Sequence, residues 1–287
     1  MAGVSTFTIT RQRIWALTGI SVMLFVLLSW VFADGLLGPP LWNSEDWVAS
    51  PLLTYLFIIL ILLAGWVQAQ RVPAEGIPMP VAKASVTPGQ VEDPVGWWLL
   101  LGNVFLSVFW LPLRFFVGRD WLSAGLHKVG DPAWTGGGAA LQSYWERAVA
   151  IPDTGRPAIT YDWFRQFLQY MLDNNWYTWF APLVAWGEVL VGLGLIVGAL
   201  VGIAAFFGTL MNFSFMLAGS ASTNPVLFGL GVFLVLGWKV AGYWGLDRWL
   251  LPALGTPWRR GRSSSDLAAG RPDAALGPVQ PSGGVPS

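Results

Sequence analysis

The segment from Leu111 to Trp134 reads LPLRFFVGRDWLSAGLHKVGDPAW and combines an apolar, helix-forming pattern with several charged side chains. A charged group at bilayer depth costs about 2.5–3.5 kcal/mol on insertion scales. Charges on such a helix therefore need partners, water or a functional role. We expect this segment to carry much of the function. Its charged and titratable residues are Arg114, Arg119, Asp120, His127 and Lys128.

The composition is that of an integral membrane protein. Hydrophobic residues make up 54% of the chain and charged residues 11%, with a mean hydropathy of +0.55. The formal net charge is zero, so nothing indicates nucleic-acid binding. There is no Cys, which excludes disulfides, thiolate catalysis and Cys-bound clusters. The single His excludes bis-His haem within one chain.

Apolar stretches of nearly membrane-spanning length fill most of the chain and predict an all-α membrane protein with six transmembrane helices. The first follows Arg11 and Arg13. Its length, with Trp15 and Trp30 near its ends, favours an uncleaved helix over a signal peptide. The predicted spans are Ile14 to Phe32, Leu52 to Val67, part of Trp97 to Lys128, Trp179 to Val197, Leu200 to Leu217, and Val226 to Tyr243.

The third hydrophobic region is too long to be one straight span. From Trp97 to Lys128 a continuous helix is about 48 Å long, whereas the hydrocarbon core is about 30 Å thick. Pro112 is the expected break, because proline disrupts a helix interior. This leaves Trp97 to Trp110 as an interfacial or tilted segment and Leu113 to Val129 as most of the span.

The distribution of basic residues predicts the orientation. Lys and Arg before the first span, between the second and third, and after the sixth all fall on one side, so both termini are expected in the cytoplasm. We predict two N-terminal helices and a Pro-rich linker over 1–95, a four-helix domain over 96–256, and a disordered tail over 257–287. The connection 130–175 is then outside.

This outer connection contains a predicted amphipathic helix between Tyr161 and Leu172. Its apolar residues recur at helical spacing, as in a helix resting on the outer membrane surface. The pattern favours a packed cap over the bundle, and a moving lid over a site is the alternative. The apolar residues are Phe164, Phe167, Leu168, Met171 and Leu172.

At about 100° per residue, Arg114, Gly118, Trp121, Gly125 and Lys128 share one stripe of the third span. The stripe has a cation near each end and small residues between them. The glycines allow close approach of either a neighbouring helix or a flat ring. Both interpretations stay open at the level of sequence.

The fourth span supplies the complementary charge. Glu188 lies nine residues after Trp179, about 13 Å along the helix axis and near the middle of the membrane. We expect Arg114 to be its partner. The pair either fixes helix register or forms part of a proton or quinone site. Asn212 in the fifth span is either an interhelical hydrogen-bonding group or a ligand contact, and the lone His127 predicts no metal site.

A series of charged and small residues runs in a fixed order through the last four predicted spans. It comprises Arg114-x-x-x-Gly118, Ala124-Gly125-x-x-Lys128, Asp131-Pro132, Gly187-Glu188, Gly194, Gly198, Asn224-Pro225 and Ala241-Gly242-x-x-Gly245-Leu246-Asp247-x-x-Leu250. This series resembles the DoxX/DoxD family of integral membrane proteins over roughly Val108 to Leu254. The resemblance implies a DoxX-like four-helix bundle, here preceded by two extra helices.

DoxD-type proteins form the membrane subunit of thiosulfate:quinone oxidoreductase, and DoxX-type proteins are associated with membrane thiol-redox complexes. The resemblance therefore implies a subunit of a quinone-linked redox system in a bacterial or archaeal inner membrane. It further implies a diffusible quinone and a second redox subunit as partner. The absence of Cys and the single His predict no metal or haem. The alternative is a non-catalytic scaffold for a soluble redox partner, or a small-solute carrier.

The polar positions that match the family are Arg114, Lys128, Glu188 and Asp247. We expect Glu188 and Arg114 to be catalytic, because a buried carboxylate can exchange the proton that accompanies quinone reduction. The expected quinone-binding residues are Gly118, Trp121, Gly125, Lys128 and Asn212.

Overall fold

The computed structural model describes residues 6–32, 47–48, 50–80 and 94–256. These ranges leave out most of the loop after the first predicted span, most of the Pro-rich linker and the C-terminal tail, on which parts of the orientation and domain predictions rest. The described part is mostly helical, as the sequence predicts.

The two strands are β1 (Thr6–Ile9) and β2 (Ile77–Pro80). The N-terminal helices are α1 (Arg11–Phe32), α2 (Pro51–Gln70), α3 (Val95–Gly102), the 3₁₀ helix η1 (Val104–Phe109) and α4 (Trp110–Gly130). After α4 come α5 (Pro132–Thr135), α6 (Ala139–Val149), α7 (Asp162–Asp173) and α8 (Tyr177–Val197). The last helices are α9 (Val201–Leu217), α10 (Asn224–Leu236), α11 (Trp238–Ala241) and α12 (Asp247–Ala253).

Three of these helices, α1, α2 and α8, are long and apolar enough to cross a membrane, and the bent pair of α3 with η1–α4 makes up to four. α9 and α10 are apolar but shorter. Several helices therefore each indicate a membrane protein, while the count of six spans stays a prediction. The strands were not predicted: β1 pairs antiparallel with β2, with Thr6 opposite Pro80 and Ile9 opposite Ile77.

The third hydrophobic region bends, but not at Pro112. The chain turns by 82° between Val95–Gly102 and Val104–Gly130. The break is at Asn103, whose extended backbone ends α3 and whose side chain accepts a 2.9 Å hydrogen bond from the Phe105 N–H. Pro112 lies in the first turn of α4, where the missing proline N–H has no intrahelical acceptor to lose.

α4 is the central helix of the bundle. It contacts α1, α2, α8 and α10, and most of its side chains from Trp110 to Leu122 are buried. The contact with α8 is the most extensive, and it is antiparallel, because Gly118 meets Leu195 while Gly125 meets Val189. This central position explains why several charged groups of α4 are buried.

A second hydrophobic cluster lies at the end of the bundle where α4 ends and α8 begins. There α6 and α7 pack on one another, on Ala181 of α8 and on Ala218, which directly follows α9. The predicted amphipathic helix is α7, with Phe164, Leu168 and Met171 buried. Phe167, which the sequence placed on the apolar face, is exposed. In the described structure α5, α6 and α7 form a packed cap.

Candidate functional site

Arg114 is fully buried and binds the ends of two helices. Its Nε donates to the Leu195 carbonyl at 2.8 Å, and Nη2 donates to the Ile196 carbonyl at 3.0 Å. Nη1 donates to the Ala241 carbonyl at 2.9 Å. These carbonyls lie in the last turns of α8 and α11, where intrahelical donors run out and the helix dipole favours a cation. Arg114 is thus a cap for both helices.

Asp247 has the opposite role at the start of α9. Its buried carboxylate accepts the Leu200 N–H at 2.5 Å and the Val201 N–H at 3.0 Å. Burial raises the pKa of the Asp247 carboxyl, while these two N–H groups and the charge of Arg114 oppose that shift. The two residues thereby hold the turn between α8 and α9 from both sides.

Gly198 at this turn must be glycine for two reasons. Its φ is +69°, and a Cβ there would overlap the guanidinium group of Arg114. Three positions of the family resemblance, Arg114, Gly198 and Asp247, therefore meet in one structural element. The sequence analysis named Asp247 only through the resemblance, because spacing along the chain does not indicate which helix end it caps.

The predicted pairing of Arg114 with Glu188 is wrong. Glu188 Oε2 instead lies 2.7 Å from Lys128 Nζ. Arg114 and Lys128 are separated by about 21 Å along α4. Helical phase places both cations on one stripe, but only the axial register against α8 decides which of them meets Glu188.

The space beside the two glycines of the stripe is filled by the neighbouring helix. A Cβ on Gly125 would lie 2.6 Å from the Val189 nitrogen, and one on Gly118 would lie 2.9 Å from Ile196 Cγ1. The α8 backbone fills the space that the sequence analysis left open for a flat ring. Of the two interpretations, the structure supports helix packing at both glycines.

Four of the predicted site residues lie on three neighbouring helices, with Lys128 and Glu188 in direct contact, and we call them the Glu188 cluster: Trp121, Lys128, Glu188 and Asn212. They lie on α4, α8 and α9. Glu188, Trp121 and Asn212 are almost completely buried, at 0%, 3% and 1% exposure. Lys128 is partly exposed, and its Nζ lies 5.2 Å from the centre of the Trp134 ring in the cap.

The positions of Gly208 and Val191 relate Trp121, Asn212 and Glu188 to one another along the bundle. A Cβ on Gly208 would lie 3.0 Å from both Trp121 Nε1 and Val191 Cγ1. Asn212 follows Gly208 by one turn on α9, and Glu188 precedes Val191 by about one turn on the antiparallel α8. The axial rise from Gly208 to Asn212 is about 6 Å and that from Val191 to Glu188 about 4.5 Å, and both lead toward the cap. Asn212 and Glu188 therefore lie at about the same height along the bundle axis.

The Glu188 cluster has unused hydrogen-bonding capacity. Among the described residues, no partner is found for Glu188 Oε1, Trp121 Nε1, or the Oδ1 and Nδ2 atoms of Asn212. A buried polar atom without a partner costs about 1–3 kcal/mol. Four such atoms beside a buried ion pair provide two donor groups and two acceptors for a polar ligand.

Other buried charges of α4 face the N-terminal helices. Arg119 donates to Thr54 Oγ1 of α2 at 2.9 Å, and its Nε lies 3.9 Å from Asp120 Oδ1. Arg119 is not on the stripe that helical phase defines, and spacing along the chain does not indicate Thr54 as its partner. His127 contacts the Ser123 carbonyl of its own helix. Among the described residues, no group of three or more His, Asp or Glu side chains is placed to hold a metal ion.

No protein-family model, curated protein or solved structure matches the chain. The resemblance to the DoxX/DoxD family therefore stays a prediction that rests on its residues.

Proposed function

We propose that this protein is a DoxX-like subunit of a quinone-linked redox system in a bacterial or archaeal inner membrane, and that the Glu188 cluster contacts the quinone. The single observation that supports the proposal is the group of four unpartnered polar atoms beside the Lys128–Glu188 pair. Buried polar groups are normally hydrogen-bonded, so such a concentration suggests a ligand.

The chemistry of the cluster suits both oxidation states of a quinone. The Trp121 and Asn212 N–H groups can donate to quinone carbonyls, and the Glu188 and Asn212 oxygens can accept from quinol hydroxyls. Reduction of a quinone takes up two electrons and two protons. We propose that Glu188 exchanges one of these protons, that water at the partly exposed Lys128 exchanges the other, and that Lys128 stabilises the carboxylate that remains.

The proposed site does not include Arg114, Gly118 or Gly125. Arg114 caps helix ends, and the two glycines allow α8 to pack closely on α4. The electron donor must act from outside the chain or through a partner, with thiosulfate as one candidate. Since the chain has no Cys, sulfur transfer through a persulfide has to take place on another subunit.

We further propose six spans with both termini in the cytoplasm. α1, α2, α4, α8, α9 and α10 follow one another in alternating directions, which is the order that six crossings require. Arg11, Arg13, Arg71, Lys239 and Arg248 belong to the end opposite the cap. Cationic loops are retained in the cytoplasm, so the cap faces outward.

The test uses Asn212→Leu in the purified full chain. Its amide makes no hydrogen bond among the described residues, so an apolar replacement of similar size relieves buried polar atoms and keeps or raises the melting temperature. If the cluster binds quinone, the same variant loses retained quinone, measured by extraction and chromatography. Greater stability together with lost binding identifies a ligand site rather than a structural one.

Ser214→Ala is the matched control on α9, because within the described ranges its hydroxyl bonds only to the Leu210 carbonyl of the same helix. It should leave quinone retention unchanged. Full retention in a well-folded Asn212→Leu variant would contradict the proposal. Redox activity that needs a partner protein and is unchanged by Asn212→Leu would instead support the scaffold alternative.

A further inference from the structure

The end of the bundle opposite the cap carries a second group of charged residues that the proposed quinone site does not use. Arg71 follows α2, and Arg248 lies in the first turn of α12. The side chain of Arg71 is exposed and that of Arg248 is partly exposed. They are far apart in sequence, yet both reach Tyr243.

Aromatic rings hold the two guanidinium groups. Arg71 Nη1 donates to the Tyr243 hydroxyl at 3.1 Å, and the Arg71 guanidinium lies 5.2 Å from the Trp244 ring centre. The Arg248 guanidinium lies 5.5 Å from the Tyr243 ring centre. Cation–π contacts position a cation without neutralising it, so both groups keep their full charge.

Neither arginine has a carboxylate partner among the described residues. Arg71 has one recorded hydrogen bond there, and Arg248 has none. Asp247, the nearest acid in sequence, is already bound to the N–H groups of Leu200 and Val201. Two guanidinium groups beside the same tyrosine therefore each keep several N–H donors for an anion.

The surroundings indicate what kind of anion this is. Trp66, five residues before Arg71 on the apolar helix α2, is 51% exposed, and Trp249 beside Arg248 is 65% exposed. Exposed Trp flanking cations at the end of apolar helices is the pattern of a membrane interface. A phosphate bound there has apolar protein surface next to it on the bilayer side.

We propose that Arg71, Arg248 and Tyr243 bind the phosphate of an anionic phospholipid, whose acyl chains lie along α2. The ligand chemistry is a phosphate ester, which either a lipid or a soluble phosphate can supply. We commit to the lipid because of the exposed apolar surface beside the cations. The proposal is independent of quinone binding, which concerns the opposite half of the bundle.

The test titrates the delipidated full chain in detergent with phosphatidylglycerol and measures bound lipid by native mass spectrometry. Arg71→Gln and Arg248→Gln should each weaken binding about fivefold, the effect of removing one cation at a membrane surface. Arg13→Gln is the matched control, since Arg13 is an exposed cation of the same end, 4.4 Å from the Phe7 ring. It should leave the affinity unchanged.

Arg248→Gln is the safer variant for folding, because this side chain has no recorded hydrogen bond within the described protein. Equal weakening in all three variants overturns the proposal and indicates diffuse attraction. Equal affinity for phosphatidylcholine also overturns it. If inorganic phosphate alone raises the melting temperature as much as phosphatidylglycerol does, the ligand is a soluble phosphate and the lipid assignment is wrong.

Discussion

Lys128 Nζ lies 2.7 Å from Glu188 Oε2, and this ion pair joins the last turn of α4 to the middle of α8. Its two members differ in environment: the Glu188 side chain is 1% exposed and the Lys128 side chain 22%. The pair therefore connects a buried carboxylate with the partly exposed edge beneath the cap.

Removing Lys128 should be costly because it leaves the Glu188 carboxylate buried without compensation. We expect Lys128→Met to lower the free energy of unfolding by about 3–5 kcal/mol. The double variant Lys128→Met with Glu188→Gln should recover part of that loss, since the charge is removed with its partner. Thermal or SDS unfolding of the purified protein measures both. Additive losses would show that the pair is not coupled.

Gly125 should tolerate no side chain. A Cβ there would lie 2.6 Å from the Val189 nitrogen, and backbone cannot move aside as a flexible side chain can. Gly125→Ala should therefore lower the melting temperature and Gly125→Leu should reduce folded yield sharply. Gly229→Ala in α10 is the control, because a Cβ there meets nothing within 4 Å. Helix propensity alone makes that change neutral or stabilising by up to about 1 kcal/mol.

The sequence predicts helices well and their contacts poorly, for a physical reason. Apolar runs of about the length of a bilayer core define α1, α2 and α8 without help from tertiary structure. The bend before α4 follows from length alone, but its position does not, since Asn103 rather than Pro112 carries the break. Proline in a first turn is compatible with a helix, so its presence does not identify the breaking point.

The contacts within the candidate site are even harder to predict from the sequence. Helical phase puts Trp121 and Lys128 on one face of α4, and the position of Glu188 predicts the buried carboxylate that the structure has. Helical phase gives no information on the axial offset between α4 and α8. This offset decides that Lys128, and not Arg114, pairs with Glu188. The caps made by Arg114 and Asp247 depend on helix ends that meet only after folding.

Asp247 should contribute more to the free energy of folding than an exposed aspartate that also accepts N–H groups at the start of a helix. Asp247→Asn removes the negative charge that faces buried Arg114, and we expect a loss of about 3 kcal/mol of folding free energy. Asp131→Asn is the matched control, because exposed Asp131 accepts a 2.8 Å bond from the Ala133 N–H at the start of α5. Asn and Asp are equivalent caps in solvent, so its effect should be small. Similar losses in both variants would mean that the charge of Asp247 is unimportant.

The last prediction concerns membrane topology, where the shorter helices are decisive. α9 and α10 have 17 and 13 residues, about 25 Å and 20 Å of helix, against a hydrocarbon core of about 30 Å. If both cross the membrane, the exposed turn between them lies on the same side as the cap. The chain has no Cys, so single-Cys variants report on one position at a time.

Ser143→Cys in α6 and Ala221→Cys between α9 and α10 should both react with a membrane-impermeant thiol reagent in intact cells. Ala74→Cys, in the exposed turn after α2, should react only after the cells are opened. This pattern is expected because the basic residues Arg11, Arg13 and Arg71 hold their end of the bundle in the cytoplasm. Protection of Ala221→Cys alone would mean that α9 and α10 do not cross separately, and labelling of Ala74→Cys in intact cells would reverse the orientation.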